Sequence, residues 1–162
     1  MGGADTKGDN LCTVEVLDAD GTAWKAAPSM NISREGHGVA VLNGKLYAVG
    51  GLSDDAAPMT SMEIFDTGTG SWSNGPDMNT GRFQFGLAVH DGKLYAIGGA
   101  DSVGDPLQVS EIFDPVTNSW SAGPPLSTGR RSSGAAAMGG SIYVAGGIGE
   151  NGDALKSVVQ LK

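Results

Sequence analysis

The chain has 162 residues with 27 glycines, 17% charged residues and a formal net charge of −8. That length suits one domain able to bury a real core, and glycine in such excess points to many short elements joined by tight turns. The acidic balance argues against nucleic acid or an anionic membrane as a partner, because both need clustered Lys and Arg.

In chain order, Met1-Gly2-Gly3-Ala4-Asp5-Thr6 matches a short N-myristoylation pattern. Gly2-Gly3 is also the first of several glycine pairs, which explains it better. Val14-Glu15-Val16-Leu17 predicts a short strand, Asp18 a turn, and the stretch from Trp24 to Pro28 a second strand. Gly36 to Leu42 is small and apolar on both faces, as expected of a strand buried among neighbours. Asn43-Gly44 is a type I′ hairpin dipeptide, since both central residues need positive φ. Lys45-Leu46-Tyr47-Ala48-Val49 returns as a strand and stops at Gly50-Gly51. A variable loop, Leu52 to Thr60, leads to a third strand at Met62-Glu63-Ile64-Phe65. A turn at Asp66 and a Trp72-bearing strand ending at Pro76 complete the unit.

The unit then repeats. Glu15, Glu63 and Glu111 are 48 residues apart, as are Trp24, Trp72 and Trp120, and Arg34, Arg82 and Arg130. Tyr47, Tyr95 and Tyr143 follow the same step, as do the pairs Gly50-Gly51, Gly98-Gly99 and Gly146-Gly147, with no gap. A single four-stranded antiparallel sheet that is apolar on both faces is not stable alone in water, so copies must stack and cover one another. The fold expected is all-β, with residues 1–35 supplying strands three and four of a first unit. Residues 36–82 and 83–130 form two full units, and residues 131–162 give strands one to three of a last one. Trp72 and Tyr95, with their copies, are expected to be structural.

The run Arg34, Gly38, Gly44 to Gly51, Glu63 to Asp66 and Trp72 resembles the kelch repeat, and it recurs across essentially the whole chain. The resemblance implies a kelch-type β-propeller with the Gly36–Leu42 strand nearest the axis. Such rings have five to seven blades, so two arrangements are expected: further blades from a longer chain, or a head-to-tail homodimer closing six blades. In the second, Val14–Leu17 of one copy would displace Val158–Leu161 of the other.

No chemistry stands out beside this architecture. His37 and His90 are not at equivalent positions and Cys12 is remote, so neither a metal nor another cofactor is expected. No nucleophile set is visible. Galactose oxidase, a sialic acid epimerase and the nitrile specifier proteins resemble this repeat, but their site patterns are missing here. The function expected is therefore non-catalytic binding of a partner protein or peptide through the loop face. The alternative is a piece of a carbohydrate-binding or carbohydrate-active kelch enzyme. With no signal peptide and a lone cysteine, the cytoplasm is the expected compartment.

In the adaptor members of the family, arginines at this repeat position grip peptides. The resemblance thus implies partner contacts for Arg34, Arg82 and Arg130, with Arg131 beside them. The residues themselves leave open the other reading, in which the arginine is a structural element of each repeat. The variable loops add Asp54, Asp101, Ser102, Glu150 and Asn151 to the expected partner face.

Overall fold

The computed structural model describes residues 1–161. It contains thirteen strands: β1 (Val14–Leu17), β2 (Trp24–Ala27), β3 (Gly38–Leu42), β4 (Lys45–Val49), β5 (Met62–Asp66), β6 (Ser71–Asn74) and β7 (Gly86–His90), followed by β8 (Lys93–Ile97), β9 (Ser110–Asp114), β10 (Ser119–Ala122), β11 (Gly134–Met138), β12 (Ser141–Ala145) and β13 (Val158–Leu161). They form four antiparallel meanders: β1-β2, β3-β4-β5-β6, β7-β8-β9-β10 and β11-β12-β13. Among the described residues, no helix is long and apolar enough to cross a membrane.

Local chemistry sets each hairpin. Asn43 and Gly44 adopt φ of 50° and 75°, and Asp91 and Gly92 adopt 47° and 71°, as the two-residue turn demands. Registers copy each other: Ala48 faces Glu63 and Ala96 faces Glu111. Trp72 and Trp120 each pack on the aromatic ring one strand inward, with Phe65–Trp72 centroids at 5.2 Å and Phe113–Trp120 at 5.5 Å. The indole N–H of each reaches into the preceding sheet. Trp72 Nε1 donates to Pro28 O at 2.8 Å, and Trp120 Nε1 to Pro76 O at 3.0 Å.

The sheets stack like blades of an open propeller, with β3 against β7 and β7 against β11. These first strands line the axis side. The seam between the second and third sheets is the main core, with Leu42, Tyr47, Met62, Phe85, Leu94 and Phe113 all buried. Ile97, Ile142 and Val144 fill the next seam, and Val14, Met30 and Ala48 the first. The expectation that every first strand is covered on both faces holds best for β7, whose residues are all buried or partly buried. β3 and β11 have a sheet on one side only, and parts of both are exposed.

The glycine pairs mark where the backbone must turn over a neighbour. Gly50 and Gly51 have φ of 60° and 97°. A Cβ would lie 2.7 Å from Arg82 O at the first and 2.8 Å from Glu35 O at the second. Any side chain would be both strained and in collision there.

Candidate functional site

Each sheet is tied to the next by an arginine from the segment between them. Arg34 has 0% exposure. Its Nη1 donates to Gly50 O at 2.8 Å and Ser61 O at 3.1 Å, and its Nη2 to Glu63 Oε1 at 3.0 Å. The Glu63 carboxylate also accepts the backbone N–H of Asn31 at 2.7 Å and of Ile32 at 3.1 Å. Arg82 repeats the pattern on Gly98 O, Val109 O and Glu111 Oε1 at 2.8, 2.9 and 2.7 Å. Glu111 accepts the N–H of Asn79 and Thr80 at 2.7 and 3.0 Å. Burial alone would raise the Glu111 pKa. The Asn79 N–H, the Arg82 guanidinium and the Asn79 side-chain amide outweigh it and hold Glu111 below the usual carboxylate range. Burial likewise lowers Arg82, and the hydrogen bond and charge of Glu111 oppose it.

Of the expected partner contacts, Arg34, Arg82 and Arg130 do not present their side chains to solvent in this structure. All three are at most 1% exposed. A guanidinium is a rigid fork of donors, and these forks are spent on acceptors of the adjoining sheet, a carboxylate among them for Arg34 and Arg82. Reaching a ligand would strip a desolvated ion of its acceptors, which costs on the order of 3–5 kcal/mol. The three arginines are joints between sheets.

The third joint differs from the others. Arg130 Nη1 donates to Gly146 O at 3.0 Å and Ser157 O at 3.3 Å, and Nη2 to Ser157 Oγ at 3.2 Å. Val159 stands where Glu63 and Glu111 stand, opposite Val144. Arg130 faces no carboxylate among the described residues; its buried Nε, like that of Arg82, has no acceptor there.

The loops that follow β4, β8 and β12, with the corresponding segment before β1, lie side by side on one face. Neighbouring loops touch: Asn10 Nδ2 donates to Leu52 O at 3.2 Å, and Gln108 Nε2 to Glu150 Oε1 at 3.1 Å. Asp54 is exposed and accepts the Ser33 hydroxyl at 2.9 Å. With Gly8, Asp9 and Asn10 it lines a cleft of about 210 Å³ between two loops. Asp105, Pro106 and Glu150 line the equivalent cleft two sheets on. Ser102, Glu150 and Asn151 are exposed. Asp101 is partly buried, and its Oδ1 closes its own loop by accepting the N–H of Val103 at 3.0 Å and of Asp105 at 2.9 Å. Arg131 is partly buried, with its backbone bonded to Ile148. It is the one arginine of the expected set left near the surface.

With the joint arginines removed from it, the face is acidic. Its four loops carry Asp5, Asp9, Asp54, Asp55, Asp101, Asp105, Glu150 and Asp153 against Lys7 and Lys156. Asp9 was overlooked in the sequence because it precedes the first complete repeat. The signal was there, since Asp9, Asp105 and Asp153 occupy one column of the period. The arginine and glutamate columns also repeat in the sequence, 29 residues apart, but spacing alone does not say that the two side chains meet.

His37 sits in the column of Phe85, against Gly2, with neither ring nitrogen bonded among the described residues. Burial, with the nearby Arg34 charge, lowers its pKa to about 4, so it is a neutral filler of a phenylalanine position. Among the described residues no three His, Cys, Asp or Glu side chains gather as a metal-binding group. A family model described as the KLHDC2/KLHL20/DRC7 Kelch-repeats domain matches residues 1–162.

Proposed function

The chain belongs to the kelch-repeat family, whose domains are in general protein-interaction modules, and on that premise we propose that it binds a cationic segment of a partner protein along its acidic loop face, without catalysing a reaction. The observation that carries this reading is the pair of clefts between adjacent loops, one bounded by Asp9 and Asp54, the other by Asp105 and Glu150. Their carboxylates project from loops anchored on rigid sheets, where recognition residues usually reside. A Lys or Arg side chain entering either cleft meets two carboxylates within its reach. Asp54, Asp101, Ser102, Glu150 and Asn151 belong to this face, and Arg131 at its inner edge would orient an acidic group of the same partner. Arg34, Arg82 and Arg130 act behind the face, by holding adjoining sheets together.

Fluorescence anisotropy with a short labelled Lys-Ser peptide, and a Glu-Ser peptide of equal length, tests the reading. The cationic peptide is expected to bind and to weaken as salt rises, because exposed charges are screened beyond about 8 Å at physiological ionic strength. Neutralising the clefts with D54N, D105N and E150Q together is expected to weaken it at least about tenfold, or roughly 1.4 kcal/mol. Equal affinity for both peptides, or no binding of either, would rule the reading out.

A further inference from the structure

Arg130 is buried in a seam built for a carboxylate that Val159 does not provide. In the two complete joints the carboxylate takes three sets of donors: the arginine, and two successive backbone N–H groups. The matching N–H groups here belong to Ser127 and Thr128. At the other end of the molecule the converse holds. Glu15, in the same repeat column as Glu63 and Glu111, is exposed and pairs with no cation among the described residues. One end has the site without the ligand, and the other has the ligand without the site.

The apolar surfaces at the two ends match in the same register. A Cβ on Gly38 would meet Leu87 at 2.9 Å, and one on Gly86 would meet Ala135 at 2.7 Å, whereas nothing lies within 4 Å of Gly134. The residue in the column of Leu87 and Ala135 is Val39, which is 42% exposed. Trp24 is 65% exposed, while its copies Trp72 and Trp120 donate to Pro28 O and Pro76 O. The acceptor in that series is Pro124 O. Glu15 to Arg130, Val39 to Gly134 and Trp24 to Pro124 are all offset by the same three repeat steps, so a single docking satisfies all of them.

We propose that two copies of this chain associate head to tail. β1 of one copy replaces β13 of the other beside β12, so that Glu15 supplies the carboxylate Arg130 lacks. Glu15 then faces Val144 as Glu63 faces Ala48 and Glu111 faces Ala96. β13 is the displaceable strand, because two of its four residues are exposed and the other two only partly buried. Val39 and Trp24 are covered in the same step. The arrangement is reciprocal and closes six blades.

Sedimentation equilibrium on the chain tests this, with E15Q and V159E as variants. Glu15 is exposed in a single copy, so E15Q leaves its fold intact. V159E gives Arg130 a carboxylate from its own chain and so favours β13 staying in place. The expected species is twice 16.4 kDa, with each substitution raising the dissociation constant at least about tenfold. A chain that stays at 16.4 kDa at every concentration, or a dimer whose dissociation constant either substitution leaves within about twofold, overturns the proposal.

Discussion

The belt of arginine joints and the rim of acidic loops are built from the same repeats, and they use charge in opposite ways. In the belt, Arg82 and Glu111 are held at 2.7 Å with side-chain exposures of 0% and 4%. Both terminal nitrogens of Arg82 and both oxygens of Glu111 are engaged there. On the rim, Asp54 and Glu150 each have one side-chain partner and otherwise face water. The belt arginines recur at every step of the period, whereas most rim positions change from unit to unit. A group needed once per blade is part of the blade, and a group that differs between blades is free to recognise something else.

Breaking the belt should have the largest effect. Arg82→Met strands Glu111 as a buried carboxylate, and an expected loss of about 3–5 kcal/mol should appear in urea denaturation. Arg130→Met leaves no carboxylate stranded among the described residues and should cost clearly less. Equal losses would mean that Glu111 is not what makes the joint strong.

A pH series sharpens the comparison from inside the belt. His37 has a folded pKa of about 4 against an ordinary 6.5, so the unfolded chain binds the extra proton between those values. Its contribution is complete above pH 6.5 and is lost as pH falls toward 4. The linkage amounts to about 3 kcal/mol at most. Glu111, held below the ordinary 4.5, adds its own loss as pH falls below about 4.5. His37→Phe should therefore raise Tm more at pH 4.5 than at pH 7. A uniform offset across that range would exclude His37 as the source.

Smaller effects separate the seams from the rim. Trp72→Phe removes the donor to Pro28 O while keeping a smaller aromatic ring there, an expected loss of at least about 1 kcal/mol by thermal melting. Neutralising Asp54, Asp105 and Glu150 should change stability by no more than about 0.5 kcal/mol while weakening cationic binding at least about tenfold, since exposed charges contribute little to folding. A large drop in Tm for that variant would place those carboxylates in the belt instead.

Much of this was legible in the sequence, for a physical reason. Positions such as Trp72, Tyr47 and Gly50-Gly51 answer to constraints repeated in every blade, so their spacing reports the stacking directly. The turn dipeptides gave the hairpins because positive φ restricts the residue choice so tightly. The direction of the arginine side chains was not legible. A residue in an interblade segment can point outward to a ligand or inward to the next sheet. Only the position of Glu63 or Glu111 in three dimensions decides between them. The exposure of Trp24 and Val41, 65% and 63%, also escaped the repeat logic, because equal residues have unequal neighbours when one side of a sheet is uncovered.

The most direct test is a map of backbone amide NMR shifts on titration with the Lys-Ser peptide. The amides of residues 52–56 and 101–105 should move with saturation, while those of Asn31, Ile32, Asn79 and Thr80, locked onto Glu63 and Glu111, stay in place. Shifts concentrated on those four amides, with silent loops, would contradict the division between an inert belt and a recognising rim.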